Sequence, residues 1–232
     1  MADYRLLIPH VMKWEGGYSS DPNDTASSFA TNKLLKGNPI HTYKGVTFQT
    51  WVNTAKELGH APTEEAFLKM TDAQWGKIMK KFYWDAVYGD KIKSQPIAEI
   101  LTEIVWGSGK GGLKTNVIKL QKFLSSQGYS LDIDGVLGMQ TVNTINKYVT
   151  EKGSIGEKTL YDIIWQSRAD QLKTYSTAWK HLSGWMNRMN DHYKSALSRL
   201  TELIKQNPTG TGLVSVFLVL GGLFFLTKKL KK

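Results

Sequence analysis

The chain has 232 residues, a formal net charge of +10 at pH 7 and no cysteine. This length suffices to bury a hydrophobic core, and the lack of cysteine excludes disulfides, thiolate metal sites and cysteine nucleophiles. The charge favours an acidic polymer or an anionic lipid surface as partner, whereas nucleic acid is not expected, because four of the lysines lie among the last five residues.

The N-terminal residues show the apolar spacing of a helix and lack the pattern of a cleavable signal peptide. This first helix is predicted to end near Glu15, because Gly16 and Gly17 follow directly. Residues 18–45 are rich in turn formers and small polar residues, which predicts a long surface loop or a β-like excursion.

The rest of the chain up to about residue 203 is predicted to be helical, so the expected fold class is all-α. Thr63 and Thr71 are predicted N-caps, and the glycines within residues 107–112 predict a hinge. The helices beyond the hinge are expected to pack as a small bundle. Helices are predicted over residues 48–58, 63–70, 71–85, 97–106, 113–127, 140–149, 155–181 and 185–203.

The C-terminal segment differs in composition from the rest of the chain. Residues 201–211 predict a linker, residues 212–227 are almost entirely apolar, and residues 228–232 form a basic tail. An apolar stretch of about this length, followed by lysines, predicts a transmembrane helix. We therefore expect anchoring in the bacterial inner membrane, with the orientation left open.

Glu15 is the first candidate for chemistry. The partial negative charge at the end of a helix disfavours an ionised carboxylate, so a purely structural glutamate is poorly placed there. A neutral carboxylic acid is the group that protonates a glycosidic oxygen as it leaves. Gly16 and Gly17 would let a polymer approach this acid closely.

Hydrolysis of a glycoside also needs a second carboxylate or an oriented water. Asp21 and Asp24, in the segment DPND, are the candidates for the carboxylate, and Asp21 could instead cap the turn at Pro22. A hydroxyl such as that of Thr42 or Thr47 could orient the water. Tyr18 is the best candidate for contact with a sugar, because aromatic rings stack on sugars and it follows the acid.

Two segments, WEGGYSSDPND (residues 14–24) and TYKGVT (residues 42–47), resemble the signature of glycoside hydrolase family 108, a family of N-acetylmuramidases. The resemblance implies that Glu15 is the catalytic acid and that Asp24 and Thr42 support it. The chain departs from the signature by an insertion after Asp24, so Thr47 could take the role of Thr42.

The resemblance extends toward the C-terminus. Tyr83-Trp84 followed by Gly89-Asp90 is similar to the end of the family's catalytic region, and the run from Leu120 to Thr141 is similar to the predicted peptidoglycan-binding domain that often follows it. Gly184-Trp185 with Arg188 resembles the end of that domain. The implied division is a lysozyme-like catalytic domain over residues 1–100 and a helical peptidoglycan-binding domain over residues 101–200.

The implied activity is hydrolysis of the β-1,4 bond between N-acetylmuramic acid and N-acetylglucosamine, as in a phage endolysin used in host cell lysis. We expect a monomer that needs neither cofactor nor metal. DIDG at residues 132–135 lacks the other ligands of a calcium loop and predicts a tight turn. The alternatives are a non-catalytic peptidoglycan-binding or virion structural protein and a lysis helper that acts through the membrane.

Overall fold

The computed structural model describes residues 1–206. These residues divide into two compact units, an N-terminal unit of residues 2–90 and a C-terminal unit that begins at Lys91. The predicted anchor at residues 212–227 and the basic tail at residues 228–232 lie outside the described residues. The predicted domain limit after residue 100 stays a prediction.

The N-terminal unit combines short helices with two-residue strands. The α-helices are α1 (Ile8–Trp14), α2 (Phe48–Leu58), α3 (Glu64–Leu68) and α4 (Asp72–Ile78). The strands are β1 (Tyr18–Ser19), β2 (Leu34–Leu35), β3 (Asn38–Pro39), β4 (Thr42–Tyr43) and β5 (Val46–Thr47). A π-helix follows α4 at Met79–Trp84, and short 3-10 helices lie at Tyr4–Leu6, Thr25–Ser28, Asp85–Val87 and Gly89–Lys91.

Local sequence explains where the helices of this unit begin. Thr47, Thr63 and Thr71 each accept a hydrogen bond from a backbone N–H in the first turn of the helix that follows, which satisfies a donor that has no partner inside the helix. At Thr71 the Gln74 side chain completes a capping box. The predicted caps at Thr63 and Thr71 are therefore confirmed.

The β-like excursion predicted after Glu15 consists of two hairpins. β2 pairs with β3, and β4 pairs with both β1 and β5, all antiparallel. Lys36-Gly37 and Lys44-Gly45 form the two-residue turns, and positive φ angles at both positions of each turn match the twist of paired strands. The expectation of an all-α fold is wrong here, because backbone pairing of two-residue strands produces a small N-terminal sheet.

Large aromatic side chains fill the core of the N-terminal unit. Such rings bury much apolar area and dominate the energetics of a small core. The Nε1 atoms of two of them still find carbonyl acceptors, at 2.9 Å from Trp51 to Ala61 O and at 2.9 Å from Trp75 to Lys44 O. The fully buried hydrophobic side chains are Leu7, Val11, Val46, Trp51, Phe67, Trp75, Ile78, Met79, Trp84 and Val87.

The C-terminal unit consists of three long helices, α5 (Gln95–Ser126), α6 (Met139–Lys173) and α7 (Ala178–Gln206), within the described residues. α5 breaks at Gly109 and α6 at Gly153, where the φ angles are 63° and 61°. The break at Gly109 lies in the predicted hinge. The helix predicted over residues 155–181 instead ends at Lys173, and a turn separates it from α7.

A buried ionic group joins α5 to α7. Glu99 on α5 accepts from His192 at 3.0 Å and from Arg199 at 2.8 Å, both on α7. Burial alone would raise the pKa of Glu99, but the hydrogen bonds and charges of His192 and Arg199 lower that pKa to about 2. Tyr161 on α6 completes the group through a 2.6 Å hydrogen bond to Nδ1 of His192.

None of the helices within residues 1–206 is long and apolar enough to cross a membrane. The expected all-α fold class is corrected to a mostly helical chain with a small N-terminal sheet, because short strands pair there.

Candidate active site

Glu15 lies where α1 ends. It is the C-cap residue, its backbone is extended, and its N–H donates to Val11 O at 3.0 Å. Its side chain is half-buried. Glu15 therefore follows directly on the carbonyl end of α1, as predicted from the two glycines after it.

The backbone after Glu15 is held by the hairpin of β4 and β5. Tyr18 pairs with Tyr43, Ser19 pairs with Thr42, and Lys44 N donates to Gly17 O at 3.2 Å. These pairs fix the position of the residues that follow Glu15 in the chain.

Gly16 and Gly17 are the residues between the acid and this hairpin. A Cβ built on either glycine would meet nothing within 4 Å. Both residues are exposed. The backbone next to the acid is therefore open to a ligand.

Thr42 and Thr47 are directly opposed cross-strand partners. Opposed residues of an antiparallel pair project to the same face, so the two threonines lie side by side, with Ser19 opposite Thr42 on the other flank. Thr42 Oγ1 is 2.9 Å from Nδ1 of the buried His41. The structure thus brings together the two hydroxyls that the sequence left as alternatives.

The hydroxyl groups of Thr47, Thr50 and Tyr83 are linked by hydrogen bonds. Thr47 Oγ1 lies 2.9 Å from Oγ1 of Thr50, and the Thr50 side chain hydrogen-bonds Tyr83. Burial raises the pKa of Tyr83, and the charge of the Glu15 carboxylate raises it further. Tyr83 of the π-helix therefore interacts with the charge of Glu15 and with the Thr50 side chain of α2.

Tyr83 and Thr50 were not among the residues selected from the sequence. Tyr83 was noted only as part of a resemblance, and Thr50 lies inside a predicted helix without a motif. Their placement depends on contacts between segments far apart in the chain, which spacing alone does not reveal.

Tyr18 presents its ring at the surface of the hairpin. The ring stacks on Tyr43 with 4.3 Å between centroids, and its hydroxyl donates to Leu68 O at 2.6 Å. Tyr18 is 42% exposed. The Tyr18 ring is therefore held by Tyr43 and by the Leu68 carbonyl while it stays open to solvent, which suits contact with a sugar, although the assignment stays a prediction.

Asp21 and Asp24 both lie in the exposed turn after β1. Asp21 Oδ1 accepts from Asn23 N at 2.9 Å, and Asp24 Oδ1 accepts from Ala26 N at 2.9 Å. Each carboxylate thus stabilises a local turn, and the expected role of Asp21 as a turn cap is compatible with this geometry. The catalytic role of Asp24 stays a prediction.

The DIDG turn lies in the C-terminal unit. Asp134 Oδ1 accepts from Gln121 Nε2 at 2.9 Å and from Val136 N at 2.8 Å. Gly135 takes a φ of 76°, which favours glycine. Within residues 1–206, no group of three or more acidic or histidine side chains could hold a metal ion.

Comparison with known protein families identifies the region that contains this site. Residues 8–109 match the family Glycosyl hydrolase 108. This segment is a glycosyl hydrolase 108 domain. The domain contains Glu15, both hairpins and Tyr83, so the candidate site lies inside a glycoside hydrolase of a lysozyme-like, peptidoglycan-degrading family.

The chain is also similar in fold to a solved structure, Brucella abortus SagA. The TM-score is 0.58 and the sequence identity is 23%, over 84% of this chain and 94% of the SagA chain. No curated protein sequence matches the chain at a significant level.

Two expectations gain no support from these comparisons. Neither comparison indicates a phage origin, and neither gives a separate peptidoglycan-binding domain after residue 109. A wall-binding role for residues 101–200 stays a prediction.

Proposed function

We propose that the glycosyl hydrolase 108 domain is an N-acetylmuramidase that hydrolyses the β-1,4 bond between N-acetylmuramic acid and N-acetylglucosamine in peptidoglycan. The observation that carries the proposal is the family match over residues 8–109, which includes Glu15 at the end of α1. The positive net charge of the chain favours an acidic wall polymer.

In this scheme Glu15 is the general acid that protonates the leaving glycosidic oxygen. Asp24 stabilises the positive charge of the transition state or orients the attacking water. Thr42 orients the same water, and its strand partner Thr47 could share that task. The stacked rings of Tyr18 and Tyr43 offer an apolar surface for one sugar of the glycan.

The test is digestion of purified peptidoglycan by the full-length protein and by Glu15→Gln, with mass spectrometry of the new reducing ends. We expect muramic acid reducing ends from the wild type and a loss of at least about a hundredfold in rate in the variant, because proton transfer by one positioned acid contributes roughly that much.

Glu65→Gln is the matched control. Glu65 lies on α3 in the same unit and forms an exposed ion pair with Lys69 at 2.8 Å. The Glu65→Gln protein should digest peptidoglycan as the wild type does. N-acetylglucosamine reducing ends would indicate a different glycosidase, and wild-type protein that binds peptidoglycan without releasing any product would contradict the proposal in favour of a binding protein.

A further inference from the structure

His41 is a buried residue beside Thr42 that the scheme proposed above leaves without a role. Its side chain is fully buried. Its backbone N–H donates to Ser19 O at 3.0 Å, and its carbonyl accepts from Phe48 N at 2.8 Å. The backbone of His41 is therefore fixed from two sides, by β1 and by the first residue of α2.

Both ring nitrogens of His41 have partners. Nε2 lies 3.1 Å from the backbone oxygen of Asp21, and Nδ1 lies 2.9 Å from Thr42 Oγ1. A carbonyl oxygen can only accept a hydrogen bond, so Nε2 carries the hydrogen of the first contact. In the neutral imidazole Nδ1 is then an acceptor, and the Thr42 hydroxyl donates to it.

The contact with Asp21 extends to the turn that contains Asp24. The carbonyl of Asp21 accepts from Asp24 N at 3.0 Å as well as from the His41 ring. One buried imidazole therefore connects the turn of Asp24 to the hydroxyl of Thr42, and these are the two residues assigned to support the acid.

The hydrogen position decides what the Thr42 hydroxyl offers to a ligand. A threonine hydroxyl has one hydrogen and two lone pairs, and the hydrogen of Thr42 is turned toward His41. Within residues 1–206 the Thr42 hydroxyl has no second hydrogen-bonding partner. The oxygen of this half-buried side chain therefore keeps both lone pairs for a water molecule.

Thr47 is less suited to the same task. Its Oγ1 accepts from Thr50 N at 3.1 Å as the N-cap of α2, and it lies 2.9 Å from Thr50 Oγ1. The Thr47 oxygen thus already serves the first turn of α2, where loss of a cap would cost stability. Of the two threonines that the sequence left as alternatives, the hydrogen bonds favour Thr42.

We propose that His41 is a positioning residue for the attacking water. Its Nδ1 accepts the hydrogen of the Thr42 hydroxyl, so the Thr42 oxygen accepts a hydrogen from the water and directs a lone pair of that water toward the anomeric carbon. The inference rests on the proposed function, in which Thr42 orients this water.

The first test compares two variants that each keep one of the two hydrogen bonds of the imidazole. His41→Asn keeps an acceptor close to the position of Nδ1, whereas His41→Gln keeps a donor close to the position of Nε2 and loses the acceptor. We expect His41→Gln to lower kcat on peptidoglycan by roughly tenfold to a hundredfold with little change in KM, because a misplaced reactant costs up to about that much. His41→Asn should retain most of the kcat that His41→Gln loses.

His60→Gln is the matched control for the loss of an imidazole. His60 lies in the same unit, and its Nε2 also contacts a carbonyl, Trp51 O at 2.8 Å. Its ring stacks on Trp51 and contacts no hydroxyl in the part of the chain that the structure describes. This variant should keep the wild-type kcat, and melting temperatures of all three variants show whether each protein is folded.

The second test reads the hydrogen positions and does not depend on activity. In full-length protein labelled with ¹⁵N at histidine, NMR correlation of the ring nitrogens with the carbon-bound ring hydrogens distinguishes the two tautomers. The His41 signals are assigned by their loss in His41→Asn. At neutral pH we expect the hydrogen on Nε2, and we expect the Nδ1 signal to shift in Thr42→Val, which removes the donor. The His60 signals should stay in place.

The outcomes separate the two proposals. Wild-type kcat in a folded His41→Gln protein, an equal loss of kcat in His41→Asn and His41→Gln, or a hydrogen on Nδ1 overturns the positioning role while the muramidase can stand. A wild type that releases no glycan ends overturns the proposed function instead. The tautomer and its response to Thr42→Val then decide whether His41 orients the Thr42 hydroxyl.

Discussion

Trp84 and Gly89 pack so closely that a methyl group added to Gly89 would not fit. A Cβ built on Gly89 would lie 2.2 Å from Cε2 of the Trp84 indole, whose ring is fully buried. The indole cannot withdraw, because its Nε1 donates to Asp90. Glycine at this position is therefore required by packing against the residue next to Tyr83.

We predict that Gly89→Ala destabilises the protein by about 1 to 3 kcal/mol, as overpacking of a tight core does. The measurement is the free energy of unfolding in urea. Gly17→Ala is the control, because a Cβ there would meet nothing within 4 Å. Equal stability of Gly89→Ala and wild type would show that the indole can shift.

Some residues of the candidate site can be predicted from the sequence, and others cannot. Glu15 is predictable because its signal is local: apolar helix positions before it and two glycines after it. Tyr83 and Thr50 are not predictable in this way, since the interactions of Tyr83 with Glu15 and with Thr50 arise only when distant segments pack in the folded unit.

Helices α5 and α7 are joined by ion pairs to a buried carboxylate. Glu99 is 1% exposed and lies against His192 and Arg199. A buried carboxylate is tolerated only when it is paired in this way, so loss of its charge should weaken the packing of α7.

We predict that ionised Glu99 stabilises the C-terminal unit in a pH-dependent manner. Its folded pKa of about 2 lies below the ordinary value of 4.5, so the stabilisation is complete above about pH 4.5 and is lost as the pH falls toward 2. The total is about 3 kcal/mol. Melting temperatures of wild type and Glu99→Gln between pH 7 and pH 2.5 should therefore converge at low pH.

Glu65→Gln provides the comparison for this titration. Its carboxylate pairs with Lys69 on an exposed helix surface, where ion pairs contribute little. Its melting temperature should follow that of the wild type throughout. A constant difference between Glu99→Gln and wild type across the whole range would mean that packing, not charge, accounts for the effect.

Helices with caps are the elements that sequence predicts best. α2 has the predicted bounds, and Thr63 and Thr71 cap the next two helices. The strands were missed as strands because two residues are too few to show alternation. The turn before α7 was missed because residues 174–177 contain neither glycine nor proline.

At the scale of the whole molecule the excess of positive charge should govern attraction to the wall. The formal net charge is +10, and attraction between exposed charges is screened over about 8 Å at physiological salt. Contacts made by aromatic rings and hydrogen bonds are screened much less.

We predict that binding of the Glu15→Gln protein to insoluble peptidoglycan weakens by at least about tenfold between 50 mM and 500 mM salt. The variant is used so that binding is measured without cleavage, and the bound fraction is read after sedimentation. Binding that does not change with salt would assign the affinity to uncharged contacts.

The hairpin of β4 and β5 explains the spacing of the motif TYKGVT. Lys44 and Gly45 form the whole two-residue turn. The number of residues between Thr42 and Thr47 is therefore the number that lets these two residues pair across the strands. One residue inserted or removed inside this segment would shift the strand register and turn one threonine to the opposite face. The spacing of the motif is thus a length constraint on the hairpin, stricter than the identity of the two residues in its turn.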